Sequence, residues 1–121
     1  MKKILIIEDN EILLENIAEI LKLSDYDVVL AKNGREGIEM ATAEKPDMII
    51  CDIMIPEMDG YEVLAFLNNK IDTRDIPFIF LTAKSEKNDF KKGLELGADF
   101  YLTKPFDGAT LLTAVENVLK I

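Results

Sequence analysis

Three carboxylates, one threonine and one lysine stand just after apolar runs in this chain. Glu8 and Asp9 follow residues 4–7, Asp52 follows 48–51, Thr82 follows 78–81 and Lys104 comes shortly after 100–102. Taken singly, each reads as a solvated loop residue. If the runs are parallel strands of one sheet, the five polar groups come from four strand ends and meet at one edge. Three carboxylates in one crevice repel, and like charges that close raise one another's pKa unless a cation neutralises them. Ligation by carboxylates and water suits Mg²⁺ or Mn²⁺, with Mg²⁺ the expected occupant, and excludes the soft sites that need Cys or His. A metal-bound carboxylate facing an ammonium and a hydroxyl has the chemistry of a phosphoryl acceptor. The metal and Lys104 neutralise the phosphoryl oxygens, Thr82 hydrogen-bonds one of them, and Asp52 is the nucleophile.

Composition narrows this further. The 121 residues contain no histidine, so there is no imidazole base, no His ligand and no internal phosphohistidine. The formal charge is −9, which argues against direct nucleic-acid binding, since clustered Lys and Arg supply most of that affinity. All of the excess lies early: residues 1–62 hold 15 acids and 6 bases, and residues 63–121 hold 8 of each. The lone Cys51 allows no internal disulfide and makes a reduced, cytoplasmic setting the expectation. Lys2 and Lys3 resemble the front of a secretory signal, but Glu8 and Asp9 interrupt the apolar run that follows. No run is long enough to span a membrane.

The elements that must position these groups follow from hydrophobic pattern. The apolar runs at 4–7, 28–31, 48–51, 78–81 and 100–102 are near-continuous, which predicts strands buried on both faces of a parallel sheet. Between the first two, Leu13, Ile17, Ile20 and Leu21, with Leu14 and Ala18, recur at helical spacing. A second helix follows Asn33 and Gly34, carries Ile38 and Ala41, and ends before Pro46. A third carries Tyr61, Leu64 and Leu67 and ends near Asn68 and Asn69. The fifth has Leu111, Leu112, Val115, Val118 and Leu119 on one side, with Asp107 as its cap. The fourth, between Ser85 and Gly97, has mainly Phe90, Leu94 and Leu96 as apolar positions among Lys87, Lys91 and Lys92. It buries little and is expected to be weakly held. Strict alternation with short connections predicts a doubly wound α/β sandwich whose functional crevice lies at the carboxyl ends of the strands.

These residues resemble the receiver domains of two-component response regulators over nearly the whole chain, from Lys3 to about Leu119. Four motifs in order carry the resemblance: Glu8-Asp9, Asp52-Ile53-Met54-Ile55-Pro56-Glu57-Met58-Asp59-Gly60, Thr82-Ala83, and Gly97-Ala98-Asp99-Phe100-Tyr101-Leu102-Thr103-Lys104-Pro105-Phe106. The resemblance implies a flavodoxin-like (βα)5 sandwich with five parallel strands in the order 2-1-3-4-5. It implies that Asp52 accepts a phosphoryl group from the phosphohistidine of a sensor histidine kinase or phosphotransfer protein, or from a small phosphodonor. Glu8 (through water), Asp9, Asp52 and the backbone carbonyl of Met54 would hold Mg²⁺. Thr82 and Lys104 would contact the phosphoryl group. Tyr101 would swing inward with Thr82 and alter the face made by the fourth helix, fifth strand and fifth helix, and so change binding to a downstream effector or linked output domain. A cis bond is expected before Pro105. The expected unit is one receiver domain over residues 1–121 with no output domain, either stand-alone or part of a longer regulator.

Other readings exist for several residues. Tyr101, on its own residues, is a core or interface aromatic. Met48, Met54 and Met58 are expected to pack. Lys84, Lys87, Lys91 and Lys92 read as a solvated face. Asp59 is expected to cap rather than ligate. As whole functions, a haloacid-dehalogenase-type phosphatase would want an Asp two residues beyond the nucleophile as general acid, and position 54 is Met. A flavodoxin-like cofactor binder would want a phosphate-cradling loop where Glu8-Asp9-Asn10-Glu11 stands. A degenerate receiver would lack a side chain that this one retains. Met54 and Lys84 occupy positions that tune the hydrolytic water in the resembled family. A phosphorylation-dependent dimer stays open, although Arg35 and Arg74 are the only arginines, which argues against pairing through late-chain arginines. Self-phosphorylation and slow dephosphorylation, rather than metabolic turnover, are the expected activities.

Overall fold

Each apolar run becomes a strand, and the capping residues set where the intervening helices begin. The computed structural model describes residues 1–83 and 95–120. The order is β1 (Lys3–Ile7), α1 (Glu11–Leu23), β2 (Asp27–Ala31), α2 (Gly34–Glu44), β3 (Met48–Asp52), α3 (Gly60–Asn68), β4 (Phe78–Ala83), β5 (Phe100–Lys104) and α4 (Gly108–Leu119). Here α4 is the fifth helix expected from the sequence. The expected fourth helix lies outside the described residues up to position 94, with Phe90, Leu94 and the lysines at 84, 87, 91 and 92, whereas Leu96, its third apolar position, is described and packs against the core. The five strands are parallel in the order β2-β1-β3-β4-β5, as expected.

The caps are local and legible. The Asn10 side chain accepts the Leu13 N–H, Asn33 that of Glu36 and Asp107 that of Thr110, at 3.1, 2.9 and 2.8 Å. Each satisfies a donor that the first helical turn leaves open. Asp59 and Glu62 form a reciprocal capping box on α3, so Asp59 caps as expected. Before Pro46, α2 stops at Lys45, whose φ of 47° is left-handed.

Two cores flank the sheet, with α2 and α3 on one face and α1 and α4 on the other. Only β1, β3 and β4 are buried on both faces; in β2 and β5 most residues are half-exposed or exposed. The expectation of burial on both faces is therefore corrected for these two. Each lies at an edge of the sheet with one strand neighbour, so its outer side is left open. The seam of α1 is Leu14, Ile17, Ala18 and Leu21, with Leu13 and Ile20 at its margin. In α2 the contact is made by small residues: a Cβ at Gly37 would fall 2.3 Å from Cδ1 of Ile7. A second correction concerns Met54. It is 65% exposed, because its neighbours Ile53 and Ile55 take the buried positions and turn it outward. Met48 is buried and Met58 packs on the core, as expected.

Candidate phosphoryl and metal site

At the carboxyl edge of the sheet, β1 runs out into Glu8, whose N–H donates to Ala31 at 3.0 Å and so holds the residue against β2. Its carboxylate is buried, 1% exposed, and accepts the Asn10 N–H at 3.0 Å. Asp9, the next residue, is exposed. Asp52 is the last residue of β3 and is buried, with Ile53 bonded to Leu81 across to β4. Glu8, Asp9 and Asp52 can each offer an oxygen within 4.8 Å of the others. The three carboxylates singled out in the sequence therefore do meet.

The lysine meets them as well. Lys104, the last residue of β5, donates through Nζ to Asp52 Oδ2 at 2.5 Å and to Glu8 Oε1 at 3.3 Å. The peptide bond between Lys104 and Pro105 is cis, as expected. The Met54 N–H donates to the other Asp52 oxygen at 3.0 Å, so both oxygens of Asp52 have a donor. Thr82 is buried on β4, one residue past Leu81, the register partner of Asp52. Its hydroxyl donates to the Ala83 carbonyl at 3.2 Å. Tyr101 is buried on β5 beside Phe80, with ring centroids 5.3 Å apart.

Charge and burial pull against each other here. The Glu8 pKa is pushed up to about 7, first by burial, then by the hydrogen bond to Asp52 and the charge of Asp52. The Asn10 N–H and Lys104 act in the opposite direction. The like-charge repulsion expected from the sequence does raise it, but desolvation is the larger cause. Burial works to lower the Lys104 pKa, but the hydrogen bond to Asp52 and the two carboxylate charges raise it overall. Burial also pushes up the thiol of Cys51, with Asp52, Glu8 and Asp59 adding to the shift. Among the described residues, three carboxylates with one lysine leave an excess of negative charge, and an all-oxygen donor set of this kind fits Mg²⁺ retaining several waters.

One contributor was not singled out in the sequence. Gly60, given there only as the last residue of the Asp52 motif, lies so close to the end of β3 that a Cβ would stand 2.7 Å from the Asp52 carbonyl oxygen and 2.9 Å from the Ile53 Cα. Its N–H donates to the Ile53 carbonyl at 2.9 Å. The absence of a side chain lets α3 start directly behind Asp52. A glycine after Asp59 carries the signal for a turn, and the tight approach is visible only in three dimensions.

Comparison with known proteins agrees with this geometry. The family model described as response regulator receiver domain matches residues 4–116. The alkaline phosphatase synthesis transcriptional regulatory protein PhoP of Bacillus subtilis is 41% identical over 119 residues, covering 98% of this chain and 49% of that protein. Protein PilH of Pseudomonas aeruginosa is 35% identical over 98% of both chains. The chain thus spans about half the length of the transcriptional regulators it matches, and nearly all of PilH. Among solved structures, the receiver domain of a sensor histidine kinase from Pseudomonas aeruginosa, with a magnesium ion coordinated in its active site cleft, superposes with a TM-score of 0.90. It is 29% identical, over 99% of this chain and 98% of that one.

Proposed function

Because the chain belongs to the response regulator receiver domain family of two-component signal transduction, we propose that it is a phosphorylation-operated switch with Asp52 as the phosphoacceptor. The observation that carries this reading is Lys104 Nζ bridging Asp52 and the buried Glu8, with Asp9 within ligand distance of both. An oxygen of Asp52 attacks the phosphorus of an external donor. The new O–P bond gives an acyl phosphate as the donor's N–P or O–P bond breaks, and the electron pair leaves with the imidazole or carboxylate of the donor. The donor is a sensor histidine kinase, a phosphotransfer protein or a small phosphodonor, consistent with a chain that contains no histidine.

Each side chain has a distinct task in this reading. Glu8, Asp9, Asp52 and the carbonyl of Met54 hold Mg²⁺, for which Mn²⁺ is an acceptable substitute, and the bound cation supplies neutralisation of the phosphoryl oxygens. Lys104 lies in contact with Asp52 already and passes to the phosphoryl group as it arrives. The Thr82 hydroxyl turns to one of its oxygens, and Tyr101 responds. The altered surface is the one formed by the expected fourth helix with β5 and α4, and it is read by an effector protein or a linked output domain, or used in a phosphorylation-dependent dimer. The exposed Met54 stands next to Asp52 and tunes the hydrolytic water together with Lys84, so Met54→Asn and Lys84→Glu variants are expected to change the phosphoryl lifetime. The buried, unpaired Cys51 is consistent with action in the cytoplasm, and no described helix is long and apolar enough to cross a membrane. The acidic balance speaks against direct contact with nucleic acid.

Incubation with acetyl phosphate and Mg²⁺, followed by intact-mass measurement, tests the assignment. One phosphoryl adduct is expected on the native chain and none on Asp52→Asn. An adduct on both proteins, or on neither, overturns it.

A further inference from the structure

A second apolar feature lies away from the carboxylates, on the outer side of α2 and α3. A groove of about 520 Å³ runs between α2 and the end of α3 with the turn that follows it, and Ile38, Ala43 and Phe66 are among its lining residues. Phe66 is 42% exposed and so presents an apolar ring at the mouth of the groove. It lies six residues beyond Gly60, about 9 Å along α3 from the contact with Asp52 at 1.5 Å per residue. Two carboxylates, Glu39 and Asp72, also line the groove. Neither forms an ion pair among the described residues. The cation beside them, Lys70, has its ammonium over the Phe66 ring, 5.4 Å from the centroid.

We propose that this groove is a docking site for a basic amphipathic helix of a partner protein. The form of the occupant follows from the walls. One wall is α2, and the other is the end of α3 with the turn that follows it, where the Lys70 N–H donates to Leu67 and the Thr73 and Arg74 N–H groups donate to Lys70. These backbone donors are bonded internally, so an extended peptide would find no open row of donors and acceptors and would lose hydrogen bonds on entering. A helical guest satisfies its own backbone and presents apolar anchors at i, i+3 and i+4 to Ile38 and Phe66. The sign of its charge follows from the rim, where Glu39 and Asp72 await cations and Lys70 is already engaged with a ring. The site is independent of the phosphoryl chemistry and stands or falls separately from it.

Fluorescence anisotropy with labelled helical peptides of about four turns tests the proposal. One peptide carries a leucine stripe flanked by lysines, and a second carries the same stripe flanked by glutamates. The lysine peptide is expected to bind more tightly by about tenfold or more, and Phe66→Ala to weaken it by a similar factor. Glu39→Lys combined with Asp72→Lys is expected to reverse the preference toward the glutamate peptide. Phe66 and both carboxylates are exposed, and unchanged circular dichroism checks that the variants fold. Equal affinity for the two peptides, or binding unaffected by Phe66→Ala, overturns the proposal. Self-association that Phe66→Ala abolishes, without peptide binding, overturns it in favour of a second copy of the chain.

Discussion

At the scale of single residues, Glu8 sets the electrostatic character of the site. Its pKa of about 7 lies above the ordinary 4.5, so between those values the folded chain binds more protons than the unfolded one. Stability is therefore greatest below about pH 4.5 with respect to this group, and it falls as pH rises to 7 and the buried carboxyl ionises. The cost at neutral pH, without divalent ions, is about 3 kcal/mol. Urea unfolding in chelator at a series of pH values is expected to show this decline in the native chain and a flatter profile in Glu8→Gln. A difference between the two that does not change with pH would contradict it. The residue types at this site were readable from sequence because the chemistry requires them at strand ends. The cause of the shift was not: three acids in a row of motifs suggest repulsion, and only the depth of Glu8 in the fold reveals desolvation as the larger effect. Met54 escaped for a similar reason, since methionine in an apolar stretch reads as packing until Ile53 and Ile55 are seen to hold the inner positions.

Elements position these residues through contacts of very different visibility. The capping box of Asp59 and Glu62 is a sequence pattern with a mechanism, and Asp59→Ala is expected to cost about 1 kcal/mol in urea unfolding. The contact made by Gly60 is different. Gly60→Ala places a methyl against the Asp52 carbonyl oxygen and the Ile53 Cα, where backbone cannot yield cheaply. A loss of about 1–3 kcal/mol is expected from such overpacking, together with slower phosphorylation by acetyl phosphate because Asp52 itself is displaced. Normal phosphorylation in that variant would show that α3 can retreat without disturbing the site. Helix seams were legible to within one position, as the shift from Leu13 to Leu14 in α1 illustrates. Periodicity fixes a stripe but not which edge of it faces inward. Small residues that permit close approach, Gly37 against Ile7 and Ala114 in α4, give no hydrophobic signal at all. Nor does a continuous apolar run distinguish a central strand from β2, because edge position is a property of the whole sheet.

At the scale of the molecule, the early acidity and the parallel sheet combine to make one place where cations are wanted. At a free Mg²⁺ concentration about a hundredfold above its Kd, the native chain is expected to gain about 2.7 kcal/mol against unfolding. At ionic strength matched with KCl, Asp9→Asn should lose most of that gain. An equal gain in both proteins would mean that Mg²⁺ acts only by general screening of the net charge. The strand order bears on the same point through the way chains are made. Glu8 and Asp9 follow β1 and Asp52 ends β3, whereas the lysine that bridges two of the three belongs to β5, the last of these five strands to be synthesised. On the ribosome the acidic half of the sheet can therefore form before its internal cation has been translated. During that interval only protons or ions from solution can quieten the carboxylates. Nascent chains stalled before Lys104 emerges are accordingly expected to need Mg²⁺ for protease protection more than finished chains do.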